Sequence, residues 1–319
     1  MQRYQAVDLL KAVLMVMILA VHSSFLFDYS QVLGHIMNNG LFRVAVPLFL
    51  IISGYFSERA FSEGKAVGWI KRIAVMYLVW TLVYLPFWVD IDQFNPFRSF
   101  IDLIFGFYHL WYISSLLWGG IILYFLRGKS DRFLLVSAIL LFVTGVFIEY
   151  AGEYDLFLNI PIIDRLFSLN FTHRNFLFIG FPFLTIGYLI KKTGVEHRLK
   201  KPTLLPLLLI ATLLFSMESA LLYFKLSGYG GFDVYLMSFL VCPIIFVLVL
   251  NANIKLTKFK TESMGLYLAA VYFIHPVFII NYSKVFDLDS ITLMFLTLIS
   301  SLIASYFIVQ IRKRFKYIL

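Results

Sequence analysis

Lys11 and His22 stand eleven positions apart inside one apolar stretch, Val7 to Phe27, where lipid tolerates neither side chain without a reason. At 100° per residue that separation comes to about 1100°, three turns plus roughly 20°, so a helix presents both from one face. At 1.5 Å per residue they stand roughly 16 Å apart along the axis, about half the hydrocarbon thickness of a bilayer. Together they offer a cation near one surface, able to hold an anionic group, and a deeper imidazole able to take a proton or an acyl group. The plainer alternative is a snorkelling lysine and a histidine bonded to a neighbouring helix.

Two further histidines belong beside this pair. His22 lies late in its span, His109 opens a span of opposite direction, and His275 lies late in another apolar stretch, so all three fall in one outer layer and suggest a shared polar chamber. For each alone a structural histidine is the plainer reading. On the opposite side Lys11 is joined by Arg3, Lys71 and Arg72, a basic group suited to phosphates, with arginine giving forked contacts and lysine a point charge. Basic residues flanking spans on the cytoplasmic side need no ligand to explain them, and Asp8, one turn before Lys11, is placed to pair with it. The sequence carries no HExxH, no phosphate-binding glycine loop, no Gly-x-Ser-x-Gly and no metal-ligand set. His22 to Asp28 is one residue too long for a His-x4-Asp pair.

The elements that must position these groups are membrane helices. Of 319 residues 61% are apolar and 14% charged, with a mean hydropathy of +0.86, which excludes an ordinary soluble domain. Ten apolar stretches qualify as spans: Val7 to Phe27, Leu41 to Phe56, Trp69 to Val89, His109 to Leu126, Phe133 to Tyr150, Phe176 to Ile190, Leu204 to Phe224, Phe232 to Leu250, Met264 to Tyr282 and Ile291 to Ile311. With the N-terminus in the cytoplasm, the outer side carries only Arg43, Arg98, Arg165, Arg174, Lys225 and Lys284 of 27 basic residues. That asymmetry places both termini in the cytoplasm and turns the net charge of +9 into a topology signal rather than a nucleic-acid one. The outer connections are acidic (Asp90, Asp92, Asp102, Glu149, Glu153, Asp155, Asp164), and two, Asp90 to Tyr108 and Ala151 to Asn175, are long enough to fold over a cavity mouth. Pro47 to Phe56, with Ser53 and Gly54, reads as a kinked helix packed closely on a neighbour. The lone cysteine, Cys242, lies in an apolar run and supports neither a disulfide nor a metal cluster. The first span lacks a small-x-small cleavage site and is expected to be retained. No repeat or soluble segment appears, so the expected fold is one all-α polytopic bundle, a single domain over residues 1–319.

Four blocks, DLLKAVLMVMILAVHS, FRVAVPLFLIISGYF, HLWYISSLL and SMGLYLAAVYFIHPVFI, in this order and on the first, second, fourth and ninth spans, resemble the membrane acyltransferase-3 family. Within it the chain is similar to surface-polysaccharide O-acetyltransferases without a fused esterase-like domain. The resemblance implies a multi-pass protein of the bacterial inner membrane. It implies transfer of an acetyl or other short acyl group from cytoplasmic acetyl-CoA or acyl-CoA to a hydroxyl of a surface glycan or lipid-linked saccharide; no metal is expected, since the sequence offers no ligand set for one. It maps a basic residue and an essential histidine onto Lys11 and His22, a further basic position onto Arg72, and the histidine of the HLW block onto His109. Many members have arginine where this chain has Lys11, and a second basic residue where it has Val75.

On these grounds His22 and His109 are the expected catalytic residues, with Lys11, Arg72 and Lys71 holding the donor. Arg43, Ser53, Tyr112 and His275 are expected to stabilise the oxyanion or position the acceptor. The competing readings are a glycolipid or small-molecule transporter whose histidines form a proton path and, behind it, a structural or sensory membrane subunit.

Overall fold

The computed structural model describes residues 4–89, 94–225, 232–252, 254 and 263–319, and among these no strand occurs. Arg3, Asp90 and Asp92 lie outside the described residues. The principal helices are α1 (Gln5–His22), α2 (Gln31–Asn38), α3 (Ala45–Ser62), α4 (Ala66–Val83), α5 (Trp111–Leu126), α6 (Asp131–Glu153), α7 (Phe181–Thr193), α8 (Lys201–Lys225), α9 (Ser238–Leu250), α10 (Met264–Val285) and α11 (Ser290–Arg312). Nine helical stretches among the described residues are long and apolar enough to cross a membrane, as a polytopic helical bundle requires. The expected eighth span is instead a 13-residue apolar helix, α9.

Three expected boundaries are corrected. Α1 ends at His22 rather than running to Phe27, because Ser23 and Ser24 turn the chain: the Ser23 hydroxyl donates to the Ala20 carbonyl at 3.0 Å and Ser24 adopts φ 53°. Phe232 to Met237 is not helical, because the Glu218 carboxylate accepts the Leu236 and Met237 amides at 2.7 and 2.9 Å and holds a turn before α9. Α4 stops at Val83 ahead of Pro86, leaving Leu85–Trp88 as a separate turn.

The chain forms two compact units, residues 1–49 with 195–317 and 319, and residues 50–194 with 318. In the first, α10 packs along α11, α1 packs on α9, α10 and α11, and α8 packs on α9. Α11 is built inside out relative to a soluble helix: Thr297, Ser301 and Ser305 are buried, whereas Phe295, Ile299, Ile303 and Phe307 are exposed. Small hydroxylated residues let helices approach closely, and the large apolar ones face lipid.

In the second unit α7 is the central element, with every residue from Phe181 to Ile190 buried against α5, α6 and the π-helical turn Phe176–Gly180. The expected close packing of the Ser53–Gly54 segment is found here. A Cβ on Gly54 would stand 2.0 Å from the Leu184 carbonyl oxygen, and one on Gly187 2.0 Å from that of Ile51. Two glycines on facing helices thus let the backbones touch.

Candidate functional site

Α1 is continuous from Gln5 to His22, so Lys11 and His22 keep their common face. That face is the protein-facing one. Val7, Leu14, Met15, Ile18 and Leu19 are buried around it, whereas Val13 and Val16 on the opposite side are 52% and 42% exposed. Lys11 Nζ lies 3.7 Å from Asp8 Oδ1, the expected pairing one turn apart. His22 is the last residue of the helix, half-buried, where the chain leaves α1.

Against His22 stands His275, fully buried on α10, with ring centroids 5.2 Å apart and planes inclined at 49°. Local sequence explains how His275 is held. Pro276 has no amide hydrogen, so the Tyr272 carbonyl loses the helical donor four residues on. His275 Nδ1 supplies a replacement, donating to Tyr272 O at 2.7 Å, with Val271 O at 3.2 Å. The proton is thereby fixed on Nδ1, and the lone pair belongs to Nε2. A ring locked in rotamer and tautomer is the kind of neighbour that orients a reactive imidazole.

Arg43, also in the first unit, is held in the short 3-10 turn Leu41–Val44 by an ion pair with Asp233 and by donation from Nη2 to Asn39 Oδ1 at 3.0 Å. Asn39 Nδ2 in turn faces His35 Nδ1 at 3.5 Å, and His35 Nε2 reaches Ser219 O at 3.3 Å. Arg43 therefore anchors a buried polar chain in this conformation. Asn39 and Asp233 escaped sequence reading because nothing in their local spacing links them to Arg43.

The remaining expected site residues belong to the second unit. Ser53 Oγ and Tyr112 Oη lie 3.4 Å apart. His109 is 2% exposed in the 3-10 turn Tyr108–Leu110, its ring edge-on to Tyr84 with centroids 4.8 Å apart. Lys71 and Arg72 sit near the start of α4 with exposed side chains. Glu149 is not part of an exposed outer connection: it is buried on α6, 3.6 Å from His173 Nε2. Asp28 is engaged elsewhere, accepting from Ser290 N at 2.7 Å and from the Ser290 hydroxyl.

The two long connections line an open cavity of about 330 Å³. Its wall includes Asp102, Phe105, Tyr108 and Trp111 from one connection and its junction with α5, and Phe171 and Arg174 from the other. The Arg174 guanidinium sits 5.3 Å over the Trp111 ring. Burial pushes the Asp102 carboxyl above its ordinary range, opposed by Arg98 4.0 Å away. Gly106, at φ 92°, has no room for a side chain, since a Cβ would stand 2.5 Å from Trp111 N. Tyr108 takes φ 48° without glycine's freedom, a strained backbone on the cavity wall.

These features define a polytopic membrane protein with a histidine pair on protein-facing helix surfaces. The acyltransferase-3 family profile, described as an acyltransferase domain, matches residues 4–310, and the chain belongs to that family. Similar curated proteins include an "Amino-acid racemase" of Enterococcus faecalis, 27% identical over 85% of this chain and 39% of its own length. A "Serine/alanine racemase" of Enterococcus gallinarum is 27% identical over 85% of this chain and 40% of its own length. The chain thus spans about two-fifths of the curated relatives it matches. No solved structure matches it.

Proposed function

We propose that this membrane acyltransferase is an inner-membrane O-acyltransferase, carrying an acetyl or other short acyl group from cytoplasmic acyl-CoA to a hydroxyl of a surface glycan or its lipid-linked precursor. The observation that carries this reading is the placement of His22. It lies on the protein-facing stripe of α1, about 16 Å along the axis from Lys11, with its ring against the tautomer-locked His275. A flexible acyl-CoA arm anchored by its phosphates near Lys11 has the reach to bring its thioester to His22. The ground for taking a glycan hydroxyl as acceptor is the resemblance of the four sequence blocks to surface-polysaccharide O-acetyltransferases.

In the reaction the sugar oxygen attacks the thioester carbonyl while neutral His22 takes the hydroxyl proton. The C–O ester bond forms, the C–S bond breaks, and the proton passes from His22 to the departing thiolate. In the two-step version the His22 nitrogen attacks the thioester, the C–N bond forms and the C–S bond breaks with release of the thiolate; the sugar oxygen then attacks, the C–O bond forms, the C–N bond breaks and the hydroxyl proton ends on the thiolate. His275 acts by orienting His22. Arg43, in the same unit as His22, is assigned to oxyanion stabilisation and acceptor placement.

The test is the acetyl content of surface glycans, by mass, in cells carrying wild-type or His22→Ala protein at matched membrane abundance. Loss of the acetyl group is expected. Full retention removes His22 from the chemistry.

A second reading is a small-molecule transporter whose histidines pass protons, with serine or alanine, the amino acids in one enterococcal relative's name, as the cargo to test. Proteoliposome uptake of labelled serine, independent of acetyl-CoA and abolished by His22→Ala, would establish it over the enzyme.

A further inference from the structure

We propose that the cavity between the two long connections of the second unit is a saccharide site and takes a single pyranose ring. The proposal rests on the acyltransferase reading above and assigns residues that the sequence resemblance leaves untouched.

Four observations carry it. At about 330 Å³ the cavity stands at the small end of the range for organic ligands, room for one sugar unit rather than a polymer. Its wall pairs apolar ring surfaces, Phe105, Tyr108, Trp111 and Phe171, with two ionisable side chains, Asp102 and Arg174. A pyranose has that dual character: C–H bonds on its faces pack on aromatic rings, and its vicinal hydroxyls both donate and accept. A carboxylate accepts from one hydroxyl pair, and a guanidinium fork donates to another.

Arg174 is also set in place by stacking over Trp111, so little side-chain freedom is lost when a ligand arrives. Finally, the wall is shaped at a backbone cost. Tyr108 occupies left-handed space, and Gly106 gives way to the Trp111 backbone, so the chain from Asp102 into α5 is bent to present these rings together. The segment behind the other wall is pinned by Asn175, whose Nδ2 donates to the Phe171 and Thr172 carbonyls at 2.9 and 3.1 Å and whose Oδ1 caps Leu177 and Phe178. The same bent segment carries His109, whose ring centroid is 6.1 Å from that of Tyr108. Tyr108 on the cavity wall is therefore the neighbour in sequence of an expected catalytic histidine.

The experiment is saturation-transfer NMR on the full chain in lipid nanodiscs with methyl α-glucopyranoside, methyl β-glucuronide and N-acetylglucosamine as probes and serine as the control. Transfer to ring C–H protons of at least one sugar, and none to serine, is expected. Trp111→Ala should abolish the signal. Arg174→Gln and Asp102→Asn, which keep shape and spare the fold, should each weaken binding about tenfold, the loss of a hydrogen bond to a charged group. The proposal is overturned if no sugar shows transfer to wild-type protein, if the signal survives all three cavity substitutions, or if serine gives a cavity-dependent signal. Glycan acetylation that persists undiminished in all three cavity variants also overturns the site while leaving the acyltransferase standing. Cavity-dependent sugar binding in a protein that transfers no acyl group would uphold the saccharide site and refute the reaction.

Discussion

His275 combines two duties that a pair of substitutions can separate. The imidazole replaces the amide that Pro276 lacks, so removing it in His275→Ala deprives the buried Tyr272 carbonyl of its donor. An unmet buried acceptor costs about 1–3 kcal/mol, and the space vacated by a fully buried ring adds roughly 2 kcal/mol more. Restoring an ordinary helix at the same place repairs the first part alone. In His275→Ala with Pro276→Ala, the new alanine amide reaches Tyr272 O in the i to i−4 pattern. Pro276→Ala with His275 present gains less, because that carbonyl already has a donor. The double-mutant cycle should therefore show a favourable coupling of about 1–3 kcal/mol in unfolding free energy, measured by denaturant titration in a fixed detergent. A coupling within about 0.5 kcal/mol of zero, the range expected of independent sites, would refute the capping role. Activity supplies the other half. If His275 also orients His22, the stabilised double variant regains its fold and not its acyl transfer, whereas equal recovery of both reduces His275 to a structural residue.

Other outcomes follow from the same geometry. Gly54→Ala or Gly187→Ala should destabilise by about 1–3 kcal/mol, because overpacking the α3–α7 crossing outweighs the roughly 1 kcal/mol by which alanine favours a helix. The double variant should cost less than the sum, since either methyl already spreads the helices. Thermal unfolding in detergent reads both, and stabilisation by either alanine would contradict the crossing. Asp233→Ala strands the partly buried Arg43 charge and should cost roughly 3 kcal/mol, with Asp233→Asn intermediate, by the same measurement. Hydrogen bonds from Ser290 hold the Asp28 carboxyl below its ordinary 3.8. Its contribution is thus complete above about pH 4 and is lost as pH falls through the lowered value, so wild type and Asp28→Asn should differ in unfolding temperature near neutrality and converge in acid. A constant difference would exclude this linkage. Reporter fusions at the two termini should both read as cytoplasmic, as the distribution of Lys and Arg requires with α9 completing a tenth crossing; termini on opposite sides would refute that count, and two outer termini would reverse the topology.

The sequence by itself determined the architecture. Long apolar stretches leave a bilayer-spanning backbone no partner but itself, so helices at nearly every expected position follow from composition alone. It also determined the relation of Lys11 to His22, because both lie on one uninterrupted helix and a fixed rise and rotation do the rest. Even the anchoring of His275 was legible in principle, since a histidine just before a proline in a helix stands beside a carbonyl that has lost its donor. What only the tertiary structure decided are the contacts between segments far apart in the chain: His22 against His275, Arg43 bound to Asp233, and Trp111 beneath Arg174. The end of α1 and the late start of α9 were likewise hidden, because Ser23 and Glu218 compete for backbone groups that hydropathy does not weigh. Periodicity reports which way a side chain points along its own helix. The partner it meets is fixed by how other helices pack, and that depends on close approaches such as Gly54 on Leu184, which no single segment encodes.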